Sequence, residues 1–180
     1  MATAIIHPSD PTTDFLRASY SDHIKQDGWV IVRHTPNKPI VERLLQACDR
    51  VIMMGHGTPS GLIGQYGLII SEDHAKWLKN KETVCIWCNA DKYVRAHGLQ
   101  SSAYTGMIIS EMGEAYVCGF ERKSVNQSMI DQSNQEFAKL VKDLVDTNNV
   151  SKKLKSVEAY ANLGKKNPII EYNARRVYVR

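Results

Sequence analysis

The stretch RVIMMG at residues 50–55 runs apolar without polar alternation. A strand with one face in water alternates with period two; an unbroken apolar run is covered on both faces, as in a parallel sheet. That requirement narrows the fold, because parallel strands need crossover connections, usually helical. The rest of the chain supplies them. Short apolar runs at TAIIH (3–7), GWVIVRH (28–34), TVCIWC (83–88) and YVCGF (116–120) read as further strands.

Helical patterns lie between these runs. SDPTTDFLRASYSDHI (9–24) spaces Phe15, Leu16 and Tyr20 helically. TPNKPIVERLLQAC (35–48) offers Asn37 as N-cap and sets Ile40, Val41, Leu44 and Leu45 on one face. SEDHAKWLKN (71–80) starts on Ser71, and GLQSSAYTGMIISEMGEA (98–115) predicts a helix whose small and apolar residues lie on a sheet. The clearest helix is 128–149, with Phe137, Leu140, Val141, Leu144 and Val145 in one stripe and Asn148-Asn149 as its stop. A short amphipathic segment follows at 151–163. NPIIEYNARRVYVR (167–180) alternates like a strand or strand pair, and GLIGQYGLII (61–70) reads as a glycine-rich hairpin. No repeat or linker divides residues 1–180, so the expectation is a single α/β domain: a three-layer, doubly wound, mostly parallel sheet with helices on both faces.

Composition sets the outer limits. At 180 residues, 43% hydrophobic and 23% charged, the chain has the profile of a globular domain that needs no disulfide staples. The net charge of +4 comes largely from the C-terminal third and reads as a solvated face rather than a nucleic-acid patch, which would be denser and interleaved with aromatics. No window approaches a membrane span, and the N-terminal stretch lacks the basic and apolar regions of a signal peptide. The expectation is a cytoplasmic protein whose four cysteines, Cys48, Cys85, Cys88 and Cys118, are thiols rather than a disulfide framework.

In open α/β sheets, sites form beyond the carboxyl ends of the strands. His56 follows the 50–55 strand between Gly55 and Gly57, and Cys88 ends the 83–88 strand. If the two strands are neighbours, imidazole and thiol emerge at one edge. An imidazole can take the proton of a thiol and so produce a nucleophile. The Gly57 and Cys88 amides are then candidate oxyanion donors, which completes the parts list for acyl transfer.

The order of these motifs resembles the caspase-like cysteine peptidases, the group of caspases, metacaspases, legumain, gingipains and clostripain. That family places a His-Gly after one apolar strand and a Cys after the next, here VIMMGHG and TVCIWCNAD. GLQSSAYTGMIISEMGEAYVCGF is similar to the family's small-residue helix leading into a strand, and the likeness covers roughly residues 28–120. The resemblance implies a caspase-like sheet and a cysteine endopeptidase. In it His56 is base and acid, Cys88 the nucleophile that forms a thioester, and Gly57 an oxyanion donor. It implies a peptide or protein substrate and no cofactor. Many members carry a small residue before the Cys, where this chain has Trp87.

Other residues keep two readings. Asp91 either lines a pocket for a basic substrate side chain or caps the next turn. His34 ends the 28–34 strand and faces the same edge or the surface, and Tyr104, with Ser101 and Ser102, starts the predicted helix near the cleft. Cys85 and Cys88 are three steps apart in one strand, hence on opposite faces, which argues against a redox pair; no second ligand pair completes a metal site. The glycines of GHGTPSG (55–61) resemble a phosphate loop but lack its Lys-Ser/Thr, leaving a flavodoxin-like nucleotide- or phosphate-binding module as one alternative. An inactive caspase-like scaffold for protein interaction is the other. The sheet edge at 169–180 is a candidate homodimer contact.

Overall fold

The computed structural model describes residues 2–33 and 38–180. Its main sheet has six strands: β1 (Thr3–Ile6), β2 (Trp29–Val32), β3 (Arg50–Met54), β7 (Glu82–Ile86), β8 (Ser101–Thr105) and β9 (Val177–Val179). Their spatial order is β2-β1-β3-β7-β8-β9, parallel throughout except for the β8–β9 pair. A small antiparallel sheet of β4 (Gly57–Thr58), β5 (Gly61–Gly64) and β6 (Gly67–Leu68) follows β3 directly, so the expected hairpin is one strand longer than its sequence pattern.

Seven helices complete the architecture among the described residues: α1 (Lys38–Ala47), α2 (Ala75–Leu78), α3 (Ala90–His97), α4 (Met112–Val117), α5 (Gln127–Asp146), α6 (Val150–Leu163) and α7 (Pro168–Ala174). The sheet divides two cores by strand parity. Ile52, Met54, Val84 and Ile86 pack with Phe137, Leu140, Val141 and Leu144 of α5. Val51, Met53, Cys85 and Trp87 pack with Val41 and Leu45 of α1, Leu78 of α2, and Tyr93 and Val94 of α3. Every residue of β3 is buried, as an unalternating run requires. The protein is thus an α/β structure with a mostly parallel six-stranded sheet and helices on both faces.

Several local expectations are corrected. The segment 98–115 is not one helix. Ser101–Thr105 is a strand between β7 and β9, and α4 begins only at Met112. Its small residues fit a strand packed on both sides: the Ser101 hydroxyl meets Thr83 Oγ1 at 2.5 Å. YVCGF is no strand but the end of α4 and its stop, with Gly119 at φ +91°. Residues 168–174 form α7 rather than a strand, because Asn167 accepts from the Ile169 amide at 3.0 Å and Pro168 takes the first helical turn. The edge strand is therefore limited to Val177–Val179. In place of an α-helix, 9–24 holds two 3-10 turns, Asp14–Ser19 and Ser21–His23. The proposed N-cap Asn37 lies outside the described residues. Among those described, no helix is long and apolar enough to cross a membrane.

Candidate active site

β3 and β7 are parallel neighbours, with Arg50 opposite Glu82 and Met54 opposite Ile86. His56 and Cys88 each follow that last pair by two residues, and the ladder extends one bond further as the Gly55 amide donates to the Ile86 carbonyl at 3.0 Å. Gly55 turns the chain there at φ +137°, a conformation an L-residue side chain resists. His56 and Cys88 both line a small cleft of about 30 Å³, walled by Phe15, Ile108 and Phe137.

His56 is held from the loop after β1. Thr12 Oγ1 lies 2.6 Å from His56 Nε2, and the same hydroxyl donates to Asp10 Oδ1 at 2.6 Å. Having given its proton to Asp10, the Thr12 oxygen must accept from Nε2–H. This chain assigns the tautomer: Nε2 carries the proton and Nδ1 is the basic nitrogen. Asp10 Oδ1 also accepts from the Thr12 amide at 2.9 Å and reaches His56 Nε2 at 3.3 Å. The Thr12 hydrogen bonds, chiefly that of its hydroxyl, hold the Asp10 carboxyl below the usual range, so it stays ionised into acid.

Cys88 leaves β7 on the α5 side of the sheet, while Cys85 is buried on the other, so the two thiols face apart. Trp87 accounts for the bulky residue before the cysteine. Alternation sends its ring into the opposite core, where Nε1 donates to Thr58 O at 3.2 Å. The ring lies directly under Gly57: a Cβ there would stand 2.0 Å from Trp87 Cδ1, so the glycine serves this close approach. Asn89, immediately after Cys88, is the one non-glycine residue at positive φ among the described residues, at +65°, and it turns the chain into α3.

The thiol itself is committed elsewhere. Cys88 Sγ donates to Ile108 O at 3.4 Å and approaches Glu114 Oε1 at 3.9 Å. Burial, and then the Glu114 carboxylate, push the thiol up to about 12. The structure therefore brings His56 and Cys88 into one cleft with the thiol in its resting form.

Gly57, Asp91 and Tyr104 lie outside the cleft lining. Asp91 sits in the first turn of α3, where its carboxylate meets Arg95 at 3.1 Å. Tyr104 belongs to β8 rather than a helix and stacks on Tyr178 in the α3-side core. Ser102, also in β8, contacts Glu82 and Lys153 at the other end of the sheet. His34 lies outside the described residues. The glycine-rich 55–61 segment runs into the β4–β5 hairpin instead of the helix N-terminus that a phosphate loop needs. Among the described residues no group of three or more His, Cys, Asp or Glu could hold a metal ion.

Sequence reasoning missed Asp10, Thr12 and Glu114. Their signals are local: Asp10-Pro11-Thr12 is an Asx-turn pattern directly after the first strand, and Glu111 to Glu114 has the spacing of a capping box. Compared with protein-family models, curated proteins and solved structures, the chain matches none.

Proposed function

We propose that the protein is a cysteine endopeptidase of the caspase-like kind. The observation that carries this reading is the shared cleft: Cys88 and a His56 oriented through Thr12 to Asp10, at the carboxyl ends of adjacent parallel strands. His56 Nδ1 takes the thiol proton, and Cys88 Sγ attacks the scissile carbonyl. The Gly57 and Cys88 amides hold the oxyanion. On collapse the C–N bond breaks, His56 returns the proton to the leaving amine, and a thioester remains. Water, deprotonated by His56, then hydrolyses the thioester and restores the thiol. The ligand is a peptide or protein chain.

The thiol's bonds to Ile108 and Glu114, rather than to His56, favour a second reading, a non-catalytic scaffold on the same fold. A peptide-library hydrolysis assay separates the two. Cys88→Ala and His56→Ala should each lower hydrolysis by about 10³-fold or more, while thermal melting stays close to wild type. A Cys88→Ala protein with undiminished hydrolysis would sink the peptidase reading. No hydrolysis by wild type, across the library and a range of pH, leaves the scaffold.

A further inference from the structure

Ile108 O and Glu114 Oε1, the two acceptors on Cys88, come from one segment, 106–114, which runs from the end of β8 into the first turn of α4. That segment is pinned along its length. Gly106 N donates to Arg176 O at 2.8 Å, and its own carbonyl accepts from Asn89 N at 3.0 Å. Ile109 exchanges both backbone groups with the buried Asn173 side chain, at 2.8 and 2.9 Å. Asn134 donates to Ser110 O at 2.9 Å.

Glu114 is held as firmly. Its Oε2 accepts from Ser110 N at 2.7 Å, Ser110 Oγ at 2.9 Å and Glu111 N at 3.2 Å. Three donors fix one oxygen and leave the other directed at the thiol. Acyl transfer needs the opposite arrangement, with the thiol turned to a base and no anion beside the sulfur, since a neighbouring carboxylate disfavours thiolate.

We propose that segment 106–114 is a latch on Cys88 and that Glu114 is its positioning residue, holding the thiol in a resting, hydrogen-bonded state. The proposal rests on the reading of Cys88 as nucleophile and adds how it is restrained. A peptide that draws the segment aside, or neutralises Glu114, releases the sulfur toward His56. Other titratable groups near Cys88 are Cys118, which caps the end of α4, and Tyr172 from α7, whose ring lies 3.4 Å beneath the Arg176 guanidinium; His56 lines the same cleft.

The test is the pH profile of Cys88 alkylation by iodoacetamide, in which the thiolate displaces iodide, read by peptide mass spectrometry with Cys48 as internal reference. Glu114→Gln keeps an oxygen for the three donors while removing the charge. The profile should move about one pH unit lower, a roughly tenfold faster reaction at pH 7, with Cys48 unchanged. An unmoved or higher profile overturns the latch. Wild type gives a second measurement that needs no variant: Cys88 should titrate well above an ordinary thiol, and an ordinary or lower midpoint also overturns the proposal. Hydrolysis is scored separately. A Glu114→Gln shift in a protein that cleaves no peptide sinks the peptidase reading alone, and Cys88-dependent hydrolysis with no Glu114→Gln shift sinks the latch alone.

Discussion

β3 and β7 face each other at both ends, and the two ends are finished differently. At the amino ends, register partners Arg50 and Glu82 form an ion pair at 3.2 Å, and the fully buried Lys153 stands 3.7 Å from the same carboxylate. Lys153 also donates to Ser102 Oγ at 2.7 Å, and Arg50 to Val145 O at 2.7 Å. At the carboxyl ends, the corresponding positions hold His56 and Cys88, each bonded to a loop instead of to the other. One end is closed by an ion cluster in which two cations, Arg50 from β3 and Lys153 from α6, share the Glu82 carboxylate. The other is left with a thiol and an imidazole whose hydrogen-bond partners come from the connections that follow β8 and β1. Strand pairing sets the positions of both pairs; the loops decide which end is free to react.

The largest expected effect comes from breaking the closed end. Glu82→Ala leaves Arg50 and Lys153 as buried cations with no carboxylate between them, which should cost about 3–5 kcal/mol in urea denaturation. Cys88 alkylation in the folded protein should not change. Lys153→Met removes one cation and should be close to neutral, because two cations share one carboxylate. A loss under about 1 kcal/mol for Glu82→Ala would show that the amino-end charges are solvated and that the two ends do not differ in this way.

The carboxyl end carries its own buried group at His7, which directly follows β1. Its Nδ1 lies 2.7 Å from Tyr20 Oη, while Nε2 is buried without a partner. Burial, then the Arg33 guanidinium, hold this imidazole down at about 4. The sign follows directly. Between that value and the unfolded value of about 6.5, the unfolded chain binds a proton that the native protein refuses. Stability from this group is complete above about pH 6.5 and falls as pH drops toward 4, by about 3 kcal/mol in total. His7→Gln should flatten that part of the stability–pH curve; an unchanged slope between pH 4 and 6.5 would place the acid sensitivity elsewhere.

The contrast between the ends also explains what was readable beforehand. Unalternating apolar runs identified β3 and β7, and with them the edge at which His56 and Cys88 emerge, because strand burial is written into each residue. The 98–115 stretch misled because Ser101, Ala103 and Thr105 are small for the opposite reason to the one assumed. They fit a strand covered by neighbours on both sides, not a helix lying on a sheet. The Asn167-Pro168 start of α7 was legible but was outweighed by the Val-Tyr-Val alternation that follows it. Asp10, Thr12 and Glu114 were not legible as site residues. Their role depends on where the loop after β1 and the first turn of α4, 44 and 26 residues away from their partners in sequence, come to lie against the cleft.

The smallest effect tests whether the open end needs its loop. Asp10 is half-buried and packs into neither core, so Asp10→Asn should change stability by less than about 0.5 kcal/mol. Its chemistry should change nonetheless. The carboxylate accepts the Thr12 proton and thereby obliges Thr12 to accept from His56 Nε2. An amide at position 10 that presents its NH₂ to Thr12 reverses that polarity, so the hydroxyl can donate to Nε2 and the proton settles on Nδ1. Nδ1 is then no longer a base for Cys88. A reduction of about tenfold in peptide hydrolysis is expected, with KM little altered, because the change acts on proton transfer rather than binding. Thr12→Val, which removes the relay while keeping the shape, should lose a similar factor, and the double variant should lose little more, since both break one chain. Additive losses in the double variant would mean that Asp10 and Thr12 act separately and that the imidazole is oriented by the cleft walls alone.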